Sequence, residues 1–335
     1  MTGGLGFIGS HTVVELVKEG YQVFIVDNLF NSSIVCLERL EKITGKKLPF
    51  EKIDVRDQEK MNTYFEKVRP HGVIHFASRK AVGESVQFPL LYYGENIQGT
   101  VTILEAMRKY GCHEFIFSSS ATVYGDKRYA EETDPIKPFN PYGHTKAMIE
   151  QILKDEAKAN GKLKVIALRY FNPVGAHESG LIGESPKDIP NNLMPIIQKV
   201  AVGIIPVLSV YGDDYDTPDG TGVRDYIHIT DLAEGHVAAL KRLKENKEGS
   251  WDAYNLGTGK GTSVLEMINA FDGASQSKLP YKVVGRRPGD VAELVAIPDK
   301  AKKELGWSAK LNVKDMCRDS WNWVKGNPQG YEEEE

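Results

Sequence analysis

Cysteine is scarce. Cys36, Cys112 and Cys317 are the only three in 335 residues, far apart and odd in number. They form no CxxC or metal-ligand spacing, which argues against a metal centre or a disulfide scaffold and suits buried thiols in a reducing compartment. Long apolar runs are also missing. No stretch approaches the ~18 consecutive apolar residues of a membrane span, and the opening residues lack a signal-peptide pattern. A cytoplasmic protein with no membrane partner is expected. Positive charge is not in excess either: 42 Lys and Arg against 46 Asp and Glu leave a net charge of −4. That balance argues against a nucleic-acid or anionic-membrane partner, while remaining compatible with a local basic pocket for a small phosphate ligand.

What is present is ordinary for a soluble globular chain, with 41% hydrophobic and 26% charged residues. The length allows one two-part enzyme or two domains. In the first half, short apolar runs alternate with helical patterns. Candidate strands are 23–27, 50–54, 73–77, 114–118 and 163–169, with helical stretches such as 100–110 and 142–159 among them. Such alternation predicts right-handed βαβ units and a doubly wound parallel α/β sheet, a Rossmann-type domain over residues 1–172. From Pro173 to Gly222 the chain is crowded with Gly, Pro, Asn and Asp, apart from a helix near 192–203. This texture predicts a smaller mixed α/β lobe over 173–335, laid on the carboxyl edge of the sheet. Residues 228–243 and 251–255 read as a helix and strand returning to the sheet. Glu332–Glu335 reads as a solvated acidic end.

Residues 2–9 are TGGLGFIG, with Gly3, Gly6 and Gly9. Glycines let the backbone turn tightly and approach a pyrophosphate, and the helix that follows, Phe7 to Glu19, offers its positive N-terminus. Glycine clusters also occur in plain turns, so the context matters. Asp27 closes the next candidate strand 18 residues after Gly9. A carboxylate there accepts from the adenine ribose hydroxyls and repels a 2′-phosphate, favouring NAD over NADP. Only Met1 precedes Thr2, so the strand that should feed the glycine loop is absent. That strand would be central, and the expectation is a truncated start whose neighbours lose two hydrogen-bond ladders.

Pro141-Tyr142-Gly143-His144-Thr145-Lys146 opens a helix. Tyr142 and Lys146, four apart, project from one face. A phenol titrating near pH ~10 is a poor base at pH 7, and lowering it by about three units takes roughly 4 kcal/mol. A lysine cation and a positive nicotinamide ring are the expected source. Such pairs also arise by chance on helix surfaces. Ser118-Ser119-Ser120, however, ends a buried-type strand at the sheet edge where substrate should lie.

TGxxGxxG, a serine-rich strand end and YxxxK together resemble the extended short-chain dehydrogenase/reductase family. Within it the chain is similar to the UDP-galactose 4-epimerase branch, nearest its fungal type. The strings that carry this include DNLFNSS (27–33), HFASRKAVGES (75–85), NPYGHTK (140–146), RYFNPVGAH (169–177), GVRDYIH (222–228) and GRRPGD (285–290). The resemblance implies that Phe7, Ile8, Asp27, Asn28, Asn31 and Ser32 hold the NAD pyrophosphate and adenosine ribose, with Asp54 and Val55 beside the adenine. Phe76, Ala77, Lys80, Asn96, Ser118 and Phe171 fall to the nicotinamide half. It implies Ser120, Tyr142 and Lys146 as the catalytic set. For a UDP-sugar it points to Tyr170, Asn172, Asn192, Leu193, Tyr211, Arg224, Tyr226, Arg287, Asp290 and Leu294. Two arginines can neutralise a diphosphate in bidentate fashion, although arginine more often forms surface salt bridges; their place in Gly-rich loops favours the ligand. The implied reaction is redox-neutral: carbon 4 of the sugar is oxidised by bound NAD⁺, the 4-keto sugar turns, and the hydride returns to its other face. The resemblance also implies a homodimer packed through the 100–110 and 142–159 helices.

The chain departs from this pattern at Ser78-Arg79, where Gly-Leu is usual, and at Glu95, where asparagine is usual; weakened NAD binding is the expectation. Leu294 replaces the tyrosine or cysteine that bounds the hexose pocket. Related dehydratases carry Asp-Glu after the catalytic hydroxyl, where this chain has Ala121-Thr122-Val123, so dehydration is not expected. A non-catalytic NAD or UDP-sugar sensor should have lost the tyrosine or lysine, and both are present.

Overall fold

The computed structural model describes residues 1–187, 190, 192–245, 248–287 and 289–332. Its main sheet is parallel throughout. Phe50–Lys52 pairs with Ile25–Asp27 on one side. On the other, Gly72–His75, Glu114–Ser120, Lys164–Tyr170 and Ser250–Leu256 follow in order. The two groups are joined by the opening residues. Thr2 bridges Val26 and His75 in parallel. Five backbone hydrogen bonds hold this stub: Met1 N to Phe24 O at 2.7 Å, Thr2 N to Ile74 O at 3.1 Å, Phe76 N to Thr2 O at 3.0 Å, Gly3 N to Val26 O at 2.8 Å and Val26 N to Met1 O at 2.8 Å. The central position is therefore occupied by a minimal strand, and the expected loss of both ladders is only partial. Below it, Met1, Phe24, Met61, Tyr64, Phe65 and Val73 help line a cavity of about 30 Å³.

Alternation within the strands explains the two cores. Ile74, Ile116, Ile166 and Leu168 face the helices Phe7–Lys18 and Ile229–Glu245. Val73, Phe115, Phe117, Val165 and Ala167 face Gln58–Val68, Gln98–Tyr110 and Pro141–Asn160. Strands covered on both faces read as near-continuous apolar runs, which is how they were legible. Phe50–Lys52 is the exception. It is a half-exposed edge strand with Glu51 and Lys52 in it, and it ends short of the expected Asp54. Charge on an edge strand discourages pairing with another chain.

The helices begin where local chemistry favours it. Asn140 caps Pro141–Asn160 by accepting from Gly143 N at 2.8 Å, and proline stands at the first turn where no N–H partner is needed. Gly161, at φ +67°, ends it. Ser250–Leu256 returns to the main sheet beside Lys164–Tyr170.

The rest of the second half forms a smaller mixed sheet. Val223–His228 pairs with Asn172–Val174 and Glu293–Ala296 in parallel and with Gly261–Ser263 antiparallel. Leu208–Tyr211 and Tyr281–Val284 make a separate parallel pair. Val174, Met194, Ile197, Tyr226, Met267, Phe271 and Met316 fill this lobe's core. No described helix is long and apolar enough to cross a membrane.

Candidate active site

The glycine loop is built by exclusion. Gly3 sits at φ +65°, and a Cβ there would lie 2.7 Å from Ala77 N; one on Gly9 would lie 2.3 Å from Gly3 O. No side chain fits either position. A Cβ on Gly6 would meet Gly3 O only at 3.4 Å. The protein itself barely constrains that residue, as a turn left open for a ligand's close approach requires. Gly6 is also the N-cap of Phe7–Lys18 and supplies no side-chain acceptor, so the first-turn N–H groups are free for an anion.

Asp27 closes its strand beside this loop. Its carboxylate accepts from Leu5 N at 3.1 Å, Leu29 N at 2.9 Å and Ser32 Oγ at 2.8 Å. It thus ties the glycine loop to the 28–33 loop. Asn28 reaches Asp54 at 3.4 Å, and Arg56 holds the Asp54 carboxylate by two hydrogen bonds, lowering its pKa to about 2. Val55 packs against the edge of the second core, and its methyl lies where a Cβ on Gly99 would be. Asn31 accepts from Lys187 N at 2.9 Å, and Lys80 pairs with Glu184 at 2.9 Å. Both contacts link the sheet edge to the segment following Val174. Glu184 and Lys187 were missed from the sequence, because nothing local distinguishes them from surface charges.

At the strand end, Ser118 O accepts from Lys146 Nζ at 2.7 Å, and Ser78 Oγ lies 3.0 Å from the same nitrogen. Lys146 is buried, and burial lowers its pKa to about 7. Its Nζ is 5.6 Å from the Tyr142 ring centroid. Burial raises the Tyr142 pKa to about 12, opposed by a hydrogen bond with Ser120. The sequence reading expected Lys146 and a nicotinamide ring together to lower the phenol; within the protein, burial dominates and Ser120 is the group that opposes it. Ser120 Oγ also accepts from Thr122 N at 3.2 Å and Thr122 Oγ1 at 3.0 Å.

Glu150 extends the face of Tyr142 and Lys146 by another turn; it was missed from the sequence, although that spacing was the signal for it. It takes Arg169 Nε at 3.0 Å and Nη2 at 2.7 Å, and Ser119 Oγ at 2.6 Å. Arg169 also donates to Tyr124, whose hydroxyl donates to Asn255. This buried network fixes the serine strand to the tyrosine–lysine helix from behind.

The departures interlock. Arg79 Nε donates to Glu95 at 2.6 Å, its guanidinium lies 4.3 Å from the Phe30 ring centroid, and its N–H donates to Asn96 Oδ1 at 2.8 Å. Arg79 and Glu95 compensate one another's charge, which their separation in sequence hid.

Of the remaining positions, Arg287 donates to Asp290 through Nε and Nη2, each at 3.1 Å, and Arg224 approaches the same carboxylate at 3.8 Å. Tyr211 lies under Arg287 at 5.6 Å. Arg224 is on the strand Val223–His228 rather than in a loop, because it alternates with the core residues Val223 and Asp225. Leu294 lies in register with Arg224 and packs in one apolar cluster with Phe171, Ala121 and Tyr124. Asn172 opens the strand Asn172–Val174, in register with Tyr226. Asn192 and Leu193 start the helix Leu193–Ala201. Tyr170 and Tyr226 are interior: the Tyr170 phenol hydrogen-bonds His236, and Tyr226 belongs to the small-lobe core. Phe76 packs on His236 at 4.9 Å.

A parallel doubly wound sheet, a glycine loop at a helix N-terminus and a Ser-Tyr-Lys set define a short-chain dehydrogenase/reductase-type enzyme. The chain belongs to the family described as GDP-mannose 4,6 dehydratase, whose model matches residues 1–320. Within that family it is similar to UDP-glucose 4-epimerases. One from Dictyostelium discoideum is 54% identical over 333 residues, 99% of this chain and 96% of the relative. Another, from Bacillus subtilis (strain 168), is 54% identical over 337 residues, 100% and 99% of the two chains. The crystal structure of UDP-glucose 4-epimerase from Bifidobacterium longum in complex with NAD+ and UDP superposes with a TM-score of 0.95 at 51% identity, covering 98% of each chain.

Proposed function

We propose that this protein is an NAD-dependent isomerase that interconverts UDP-galactose and UDP-glucose by inverting carbon 4. The observation that carries the reading is the meeting of Ser120, Tyr142 and Lys146 at the carboxyl edge of the sheet, beside a glycine loop that only an unsubstituted backbone can form. The relatives' identity over the full length supports the same reaction. NAD fits the residues present: the Gly6 turn and open helix N-terminus suit its pyrophosphate, and the Asp27 carboxylate at the end of its strand suits a ribose. When bound, it supplies the oxidation of carbon 4 and the return of the hydride to the other face of the 4-keto sugar. Asp54, Val55 and Asn28 suit the adenine side. Phe76, Ala77, Lys80, Asn96, Ser118 and Phe171 suit the nicotinamide half.

Tyr142 removes the 4-hydroxyl proton, directly or through Ser120, and gives it back at the end. Lys146 holds its positive charge against the developing phenolate, and both groups are most effective with water excluded. Arg224 and Arg287 hold the diphosphate. Asp290, which keeps both guanidiniums together, then accepts from the uridine ribose. Tyr211, Asn172, Asn192 and Leu193 line the nucleotide side, with Leu294 at the hexose. Tyr170 and Tyr226 act from beneath, as packing that sets the floor. A grip on the nucleotide with a loosely held hexose lets the sugar turn.

We also place the chain in a homodimer. The helices Gln98–Tyr110 and Pro141–Asn160 leave a groove of about 430 Å³ lined by Val101, Leu104, Ile152 and Ala159, with the Arg108–Glu156 pair at 3.1 Å across it. Three buried, unpaired cysteines suit a reducing cytoplasm. A coupled assay that converts UDP-galactose to UDP-glucose without added reductant, with extraction of dinucleotide from the purified protein, tests the reading. Protein that carries no NAD and leaves the sugar unchanged would refute it.

A further inference from the structure

The ammonium of Lys146 is served in an uneven way. Of its three N–H groups one goes to Ser118 O at 2.7 Å and another to Ser78 Oγ at 3.0 Å. Among the described residues it forms no ion pair, and its remaining neighbours are rings, Phe117 at 4.9 Å and Tyr142 at 5.6 Å from Nζ. Two fixed acceptors hold the ammonium in place, with the Tyr142 ring centroid 5.6 Å from Nζ. The other ionisable groups that bear on it are His75, held neutral by burial, and Glu150, one turn further and engaged by Arg169. No carboxylate does the orienting. The Ser118 carbonyl is fixed by its strand, so the second anchor is the Ser78 hydroxyl.

Ser78 is unusually well held for a residue on a loop. The next residue, Arg79, has both backbone polar groups clamped by Asn96: its N–H donates to Oδ1 at 2.8 Å, and its carbonyl accepts from Nδ2 at 3.1 Å. The same Nδ2 donates to Thr145 Oγ1 at 3.1 Å, on the residue preceding Lys146. The Arg79 side chain is pinned outward by Glu95 at 2.6 Å, by Glu84 at 3.6 Å and by the Phe30 ring. Asn96 lies in a π-helical turn, Tyr93–Ile97. Such turns interrupt the helical ladder and are frequent at functional sites. The clamp therefore fixes the 78–79 backbone relative to the helix that carries Tyr142 and Lys146.

We infer that Ser78 is a positioning residue for proton transfer: its hydroxyl, held by the Arg79–Asn96–Thr145 clamp, accepts from the Lys146 ammonium and keeps it directed at the Tyr142 phenol. This rests on the assignment of Tyr142 and Lys146 made above. It gives Ser78, Arg79 and Glu95 a shared purpose, in which the charged pair locks the loop and the serine uses the lock.

The test is steady-state epimerisation of UDP-galactose by the NAD-loaded protein across the pH range, for wild type, Ser78→Ala, Ser78→Gly, Ser78→Thr and Tyr142→Phe. Losing one hydrogen bond to a charged group should lower kcat about threefold to tenfold in Ser78→Ala while KM changes by less than about twofold. Without that acceptor the lysine holds its proton less firmly and the phenolate loses its cation. The ascending limb of kcat should then move up by about half to one pH unit. Ser78→Gly, which deletes the same oxygen with less bulk, must reproduce this shift, and Ser78→Thr must restore both rate and profile. A Ser78→Ala or Ser78→Gly profile superimposable on wild type, or a threonine variant as impaired as alanine, overturns the assignment. If Tyr142→Phe loses turnover while the Ser78 deletions are silent, only Ser78 falls. If Tyr142→Phe turns over normally, the proton-transfer reading beneath it falls as well.

Discussion

Replacing Glu150 by glutamine should be among the most damaging single-atom changes available in this protein. Glu150 and Arg169 have side chains only 2% and 3% exposed. The carboxylate takes two guanidinium hydrogen bonds and one from Ser119, so three donors converge on one charge. Glutamine keeps the shape but removes the charge and substitutes an NH₂ for one acceptor. Arg169 cannot lose its proton and is left as an uncompensated buried cation, a situation that costs about 3–5 kcal/mol. With roughly 2.1 cal/mol/K of unfolding entropy per residue, 335 residues give about 0.7 kcal/mol/K, so Tm should fall by about 4–7 °C. The double variant Glu150→Met, Arg169→Met removes both charges together. Tyr124 still donates to Asn255 but loses its Arg169 donor, and Ser119 and the Glu132 carbonyl lose partners as well. It should lie within about 2 kcal/mol of wild type, leaving a coupling energy of at least about 2 kcal/mol. Thermal unfolding followed by circular dichroism for wild type, Glu150→Gln, Glu150→Met, Arg169→Met and the double variant measures this. A Glu150→Gln shift below about 1 °C, or additive single effects, would refute the claim that a desolvated ion pair braces the site.

Other outcomes follow from the same geometry. Tyr142→Phe should lower kcat by about 10²–10⁴ with the dinucleotide still bound, measured by the coupled assay and by extraction. Gly9→Ala, whose Cβ would lie 2.3 Å from Gly3 O, should yield protein with little or no bound NAD, read from its absorbance and extracted nucleotide. Burial depresses His11 and His75 to about 3 and His236 to about 4, below the ordinary 6.5. Between those values the unfolded chain binds more protons, so stability is intact above pH ~6.5 and is lost as pH falls, by up to about 1.4 kcal/mol per pH unit for each histidine. Urea midpoints measured from pH 7 down to 4.5 should decline steeply, and a flat series would contradict the neutral buried imidazoles.

Much of the site was readable because its parts are local. Gly3 and Gly9 needed only the close approach of one backbone to another, and Tyr142 with Lys146 needed only helical spacing. The strands Glu114–Ser120 and Lys164–Tyr170 announced themselves by continuous apolar composition. Phe50–Lys52 was read too long, because an edge strand is marked by what its neighbours leave exposed rather than by its own pattern. Arg224 was assigned to a loop because flanking glycines outweighed a short alternation.

The sequence by itself determined the architecture, the glycine turn and the placing of Tyr142 and Lys146 in one helix, since each depends on steric or periodic rules acting within a few residues. Only the tertiary structure decided what surrounds them. Lys146 meeting Ser78 across 68 positions, Arg79 neutralising Glu95, and Tyr170 turning its hydroxyl inward to His236 all depend on which elements the sheet brings side by side. The electrostatics were decided there as well. Burial raises Tyr142 and lowers Lys146, and desolvation depends on the whole packed volume around a group, which no local spacing records.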